Sequence, residues 1–209
     1  MKSIPEPSRK RLVTLAQLLS QQKNERITSV VIERLTGWSQ SLIRRDISLL
    51  EMKCGASNGY NVHELRKHIC EALNIQTSAD SAHTCCIVGL GRLGAALLEN
   101  SFFKNSMFRI IVGFDPSVNR TEVLKADFPL YPTSMLESII TQEKIDYAIL
   151  AVSDEQAQDT AERLAACGVR GIANYTSTIL SLSPKIAVEN VAPVTALTNL
   201  STKIKIMDA

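Results

Sequence analysis

The densest chemical signal in the sequence is Gly89-Leu90-Gly91-Arg92-Leu93-Gly94-Ala95, three glycines spaced as GxGxxG. It follows the apolar run Cys85-Cys86-Ile87-Val88 and opens an apolar stretch at helical spacing, so the expected context is strand, turn, helix. In that context Gly89 permits the tight turn, Gly91 lets a pyrophosphate approach the backbone, and Gly94 lets helix and strand pack closely, with the helix amino end toward the phosphates. Dinucleotide binding is the expected chemistry, with Gly89, Gly91, Arg92, Leu93 and Gly94 as its contacts. Such a site places an acid after its second strand to bond the adenosine ribose hydroxyls. Here the run Ile110 to Phe114 leads to Asp115, which favours NAD, although capping the turn at Pro116 is an alternative use of that carboxylate. Val152 and Asn174, at the ends of two later strands, complete the expected cofactor set.

A second constellation lies near the front of the chain. Ser39, Gln40, Ser41, Arg44, Arg45, Ser48 and Lys53 stand among the apolar anchors Leu42, Ile43, Ile47, Leu49 and Leu50. Amides and hydroxyls can reach base edges, and Arg and Lys can hold phosphate or guanine, so the pattern suits a recognition helix on double-stranded DNA. Residues 1–53 hold ten Lys/Arg against five Asp/Glu, in a chain whose net charge is only +2. The basic front therefore suggests an anionic partner.

Catalytic material is sparse. His63, His68 and His83 fall in a helix and a linker, no Tyr-x-x-x-Lys dyad is present, and no carboxylate pair forms an acid/base team. A small NAD(P)-dependent oxidoreductase with an accessory helical domain is the alternative reading, and a ligand-insensitive DNA-binding protein is another. Cysteines 54, 70, 85, 86 and 167 form no CxxC and no metal spacing, so they are expected to be reduced structural thiols, with no metal bound. No apolar run reaches membrane-spanning length, and a cytoplasmic address is expected.

Amphipathic spacing predicts helices over Arg9 to Gln21, from Thr28 or Ser29 to near Gly37, and from Ser39 through Leu50. The turn-forming stretch Lys53 to Val62 predicts a hairpin, which after a helix-turn-helix is a wing. A helix over His63 to Leu73 and a polar linker over Gln76 to Ala82 follow. Beyond them, strands over Thr84 to Gly89, Phe108 to Phe114, Asp146 to Val152, Val169 to Ala173 and Ile186 to Val188 alternate with helices over Leu93 to Asn100, Met135 to Gln142 and Gln156 to Cys167. Alternation of that kind predicts a parallel sheet covered on both faces. The expected fold class is α/β: a winged helix-turn-helix domain over 1–80, a Rossmann domain over 81–192, and a carboxy-terminal helix or tail over 193–209.

Together these residues resemble the Rex family of redox-sensing repressors. The likeness rests on Arg11-Leu12-Val13-Thr14, Ile43-Arg44-Arg45-Asp46-Ile47-Ser48, Gly59-Tyr60, the segment Ile87 to Leu97, Gly168 to Asn174, and Val188-Glu189-Asn190-Val191. The resemblance implies a homodimer on a pseudo-palindromic operator, bound with NAD and released with NADH. It also implies that Arg11 belongs to the DNA-binding set and that 193–209 makes a dimer contact. Three positions depart from the family pattern. The wing lacks its arginine, an expected acid falls on Gly113 with Asp115 two places on, and Ala192 stands where an acid follows Glu189-Asn190-Val191. A switch of reduced strength is the expectation from these departures.

Overall fold

In the computed structural model, residues 4–51, 59–75, 83–98, 103 and 106–207 are described. The chain divides into two compact units, Met1–Ser78 and Ala79–Ala209.

The first unit is helical because its apolar residues recur at helical spacing between good caps. Helix α1 (Glu6–Ser20) starts beside prolines, whose missing N–H costs nothing in a first turn. Helix α2 (Ser29–Thr36) is capped by Thr28 and ended by Gly37 at φ +73°. Helix α3 (Gln40–Ser48) is capped by Ser39, and α4 (Val62–Ala72) by Asn61. Leu12, Leu15, Leu19, Ile32, Ile43, Ile47, Leu65 and Ile69 close one shared core between them.

Strand β1 (Arg26–Ile27) pairs antiparallel with β2 (Tyr60–Asn61). Of the hairpin expected within Lys53 to Val62, the first arm lies outside the described residues, and the described part, β2, pairs with β1. The described strand there finds its partner across the domain, in a segment whose polar flank, Gln21 to Arg26, hid a two-residue strand. Lys53, residues 54–58 and the linker Gln76 to Ala82 lie outside the described residues.

The second unit holds a six-stranded, all-parallel sheet of β3 (His83–Val88), β4 (Phe108–Asp115), β5 (Leu130–Pro132), β6 (Tyr147–Leu150), β7 (Gly171–Asn174) and β8 (Ala187–Asn190). Their order across the sheet is β5-β4-β3-β6-β7-β8. Counted from the first strand of the unit this is 3-2-1-4-5-6, the doubly wound order whose direction reverses between β3 and β6.

The strands read as unbroken apolar runs because both faces are buried. Cys86, Val88, Val112, Phe114, Ala148 and Leu150 pack with helix α7 (Leu136–Glu143) and helix α8 (Asp154–Ala166). Cys85, Ile87, Ile110 and Ile149 form the other cluster with Leu90 and Leu98, which flank the short helix α5 (Arg92–Leu97). Helix α6 (Val118–Val123) and strand β5 had no counterpart in the sequence reading, being too short to show a period. The chain ends in α9 (Pro193–Met207), longer and more regular than its polar tail suggested. Cys70, Cys85 and Cys86 are buried free thiols, and burial pushes Cys85 up to about 12.

Candidate dinucleotide site and recognition helix

The glycine turn sits at the carboxyl end of β3, beside the point where the strand order reverses. Its three glycines are required for different reasons. Gly89 has φ +94°, and a Cβ there would lie 2.5 Å from the Ala151 carbonyl oxygen. At Gly94 a Cβ would lie 1.8 Å from the Gly89 carbonyl oxygen, so helix and turn touch backbone to backbone. Gly91 has φ −65°, which any residue adopts, and a Cβ there meets nothing within 4 Å. Among the described glycines it alone has neither a left-handed backbone nor a close neighbour to account for it. The space it leaves faces outward at the start of α5, which no side chain caps. This is the opening a pyrophosphate needs to approach the backbone.

Asp115 ends β4 and is 1% exposed. Its Oδ2 accepts from the Leu90 N–H at 2.7 Å and its Oδ1 from the Ser117 N–H at 2.8 Å, while Arg120 Nη1 lies 3.4 Å from both oxygens. The carboxylate thus ties the end of the second strand to the middle of the glycine turn. Of the two expected uses of Asp115, its contacts display the turn cap at Pro116, through the Ser117 N–H, while its other oxygen holds the Leu90 N–H. A cavity of about 310 Å³ opens alongside, lined by Leu90, Gly91, Arg92, Asn119, Arg120 and Val123 among others. Arg92 and Leu93 are exposed at the start of α5. Val152 is half-buried just past β6.

Asn174 is fully buried, and its amide is spent on the protein. Its Nδ2 donates to the Thr178 carbonyl at 2.8 Å and to Asn190 Oδ1 at 2.9 Å, while its Oδ1 accepts from the Thr176 N–H and hydroxyl. It braces the loop after β7 against the end of β8, in contrast to the ligand contact expected of it.

On α3, residues 41, 45 and 48 share one face, where Ser41, Arg45 and Ser48 are exposed. Arg45 has no ion-pair partner among the described residues. The neighbouring face is tied to α2, since Gln40 Nε2 donates to Glu33 Oε2 at 2.8 Å and Arg44 Nη2 to Ser29 Oγ at 3.3 Å. Ser39 serves as the cap and lies 3.1 Å from the Ser41 hydroxyl.

Arg11 departs from expectation. Its Nε donates to Asp46 Oδ2 at 2.6 Å and its Nη2 to Asp46 Oδ1 at 2.9 Å, a two-pronged bond with the acid only 5% exposed. That bond also raises the Arg11 pKa. The guanidinium fixes α3 on α1 instead of facing outward. Sequence reasoning missed Asp46, although its place between Ile43 and Ile47 on the buried stripe could have marked it as inward-facing. It also missed Arg120, because α6 has no periodic signature.

Residues 80–178 match the family model described as CoA binding domain. The chain is 31% identical to the redox-sensing transcriptional repressor Rex of Limosilactobacillus reuteri, over 91% of this chain and 88% of that one. With the Rex of Pediococcus pentosaceus it shares 30% identity over 83% and 81%. The chain belongs to the Rex family of redox-sensing transcriptional repressors. Among solved structures it resembles the Rex-family repressor RSP in complex with β-NADH, with TM-score 0.83, 26% identity and coverage of 100% of this chain and 97% of that one. RSP in complex with β-NAD+ and operator DNA gives TM-score 0.83 and 27% identity, covering 100% and 95%.

For this Rex-family chain the glycine geometry gives a direct stability expectation. Gly94→Ala should destabilise the second unit by about 3 kcal/mol, since backbone on both sides must move to admit the methyl group. Gly91→Ala should leave stability unchanged to within about 0.5 kcal/mol. Thermal and urea unfolding of both variants tests this, and equal losses would contradict the assignment of Gly91 to a ligand.

Proposed function

We propose that this chain is a non-enzymatic DNA-binding repressor whose operator affinity follows the redox state of a bound NAD(H), acting as a homodimer in the cytoplasm. The observation that carries the reading is Gly91, where a Cβ would meet nothing within 4 Å, so that no protein contact accounts for the glycine and the open space suits a pyrophosphate. The pyrophosphate would lie across Gly91, and the adenosine would point to the cavity between the turn and α6. The nicotinamide, when bound, supplies the one chemical difference the protein reads: a cationic ring when oxidised and a neutral one when reduced.

The histidines support a regulator over an oxidoreductase. His63 and His68 lie on α4 of the first unit. His83 begins β3, at the opposite end from the glycine turn, packed between Phe108 and Tyr147 with ring centroids 5.5 and 5.0 Å away. His83 therefore does not stand at the carboxyl ends of the strands, where an open parallel sheet holds its ligand.

For the DNA, Ser41, Arg45 and Ser48 form the exposed outer stripe of α3, with Arg45 the group suited to phosphate or guanine. A pseudo-palindromic operator requires two recognition helices about 34 to 36 Å apart, one per copy. Helix α9 offers the surface for pairing, since Val194, Leu197, Leu200 and Ile204 recur along it and are 51 to 72% exposed. The cofactor would act by shifting the two Rossmann domains and so the helix separation.

Two substitutions separate the functions. Gly91→Val should weaken NADH binding at least about a hundredfold while the protein stays folded, because a branched side chain occupies the phosphate approach. Arg45→Ala should weaken operator binding by about 1 to 3 kcal/mol and leave NADH affinity unchanged. Calorimetry with NADH and operator titrations at a stated salt concentration measure the two effects. Tight NADH binding by a folded Gly91→Val protein would remove the site.

The strength of the switch is also set by the residues. Ala192 places a methyl group between β8 and α9, where the family pattern has an acid, so no charge there distinguishes a cationic from a neutral nicotinamide. A ligand shifts an equilibrium only by its differential affinity for the two conformations. Operator affinity with saturating NADH should therefore differ from that with NAD by less than about tenfold, or ~1.4 kcal/mol. A hundredfold release by NADH would show that other groups read the ring.

A further inference from the structure

The loop after β7 and the root of α9 meet on one buried side chain. A doubly wound sheet is built of two nucleotide-binding halves, so the second half, here β6 to β8, serves the second nucleotide at its carboxyl ends. Asn174 ends β7 there, with no exposed surface. Its Nδ2 donates to the Thr178 carbonyl at 2.8 Å, within the loop that follows, and to Asn190 Oδ1 at 2.9 Å, at the end of β8. The Asn174 carbonyl also accepts from the Val191 N–H at 2.8 Å. Two residues beyond Val191, α9 begins at Pro193.

The two sides of this bridge are held differently. Residues 175–178 are fastened to β6 and α8: the Tyr175 N–H donates to the Leu150 carbonyl at 2.9 Å, the Ser177 N–H to Asp154 Oδ1 at 2.8 Å, and the Thr178 hydroxyl to the Asp154 carbonyl at 3.0 Å. Strand β8 stands at the edge of the sheet beside β7, and its Ala187, Glu189 and Asn190 are exposed. A primary amide carries two N–H donors, and a buried donor that loses its acceptor is costly. Asn174 has committed one to each side. A shift of the loop or of the β8 end leaves that amide short of a partner, so the two are held in one joint arrangement.

We infer that Asn174, acting through Asn190, couples occupancy of the nicotinamide half of the site to the order of α9, the helix on which the proposed pairing of copies depends. This rests on the dinucleotide reading of the glycine turn. Asn174 is a positioning residue: with the 175–178 loop restrained by a ligand, its amide carries the restraint to residues 190–193, and less remains to be ordered in α9. The bridge joins two uncharged amides. It therefore registers the presence of the ring and not its charge, and NAD and NADH act alike through it.

Amide hydrogen exchange over residues 193–207 of the full-length protein, at fixed protein concentration, reads the coupling as the ratio of rates without and with ligand. Saturating NADH should slow exchange at least about fivefold, and NAD by the same factor to within about twofold. Asn190→Ala removes an exposed acceptor and leaves the bonds of the loop in place. It should reduce the slowing by NADH to less than about twofold, while calorimetry finds NADH affinity within about threefold of the parent, the glycine turn being untouched. Asn190→Asp keeps an acceptor oxygen and should restore at least about fourfold slowing by NADH, a recovery that a role in folding alone would not produce. An unslowed α9 in protein that binds NADH overturns the inference and leaves the dinucleotide reading standing. So does slowing that survives Asn190→Ala, slowing that fails to return in Asn190→Asp, or a wider gap between NAD and NADH. Binding of neither nicotinamide overturns both readings.

Discussion

The second unit depends on a contact with no room in it, the approach of the Gly94 Cα to the Gly89 carbonyl at a distance that would leave a methyl group 1.8 Å from oxygen. With that contact made, α5 begins directly over the end of β3 and the turn between them is short. Because the turn is short, the Leu90 N–H comes within 2.7 Å of Asp115 at the end of β4, and the first two strands are locked at their carboxyl ends. Gly89 is in turn pressed against Ala151, where a Cβ would lie 2.5 Å from the carbonyl oxygen, which joins the same knot to β6 across the reversal point of the sheet. The opening at Gly91 is then the one place in the turn where the chain leaves space.

Two arginine–aspartate pairs show how geometry changes the meaning of the same chemistry. Arg11 and Asp46 meet in two short bonds with the acid buried, so neither group moves without leaving a charge uncompensated, and the pair fixes one helix on another. Arg120 meets Asp115 at 3.4 Å with its own side chain more than half exposed, so the arginine can leave while the aspartate stays satisfied by backbone N–H groups. The first pair is part of the scaffold. The second is a poised contact at the edge of a cavity.

The sequence made the large features legible because they rest on long periods. The helical stripe of α1, the unbroken apolar runs of β3 and β4 and the three-glycine turn all spell out their own structure. What stayed hidden involved either short elements or partners distant in the chain. Strand β1 is two residues long, β5 is three, and α6 is a turn and a half, none of which can show a pattern. Arg11 and Asp46 are 35 residues apart, and Asn174 finds Asn190 only because β7 and β8 lie side by side. Nothing local to Arg11 or Asn174 distinguishes a side chain turned inward from one offered to a ligand. The sequence was a good guide to where a site would form and a weaker one to which side chains would remain free to serve it.

Helix α9 carries a different kind of consequence. Fifteen residues with four apolar side chains in the open are near the limit at which a helix holds together in water unaided. Covering each of those side chains contributes roughly 1.5 to 3 kcal/mol, so, with a second copy as the cover, ordering of this segment and association of the chains become one event. On the proposed pairing of copies, mass action would make copy number a variable of the fold itself: few molecules would carry frayed tails, and dilution alone would undo the pair without any ligand taking part.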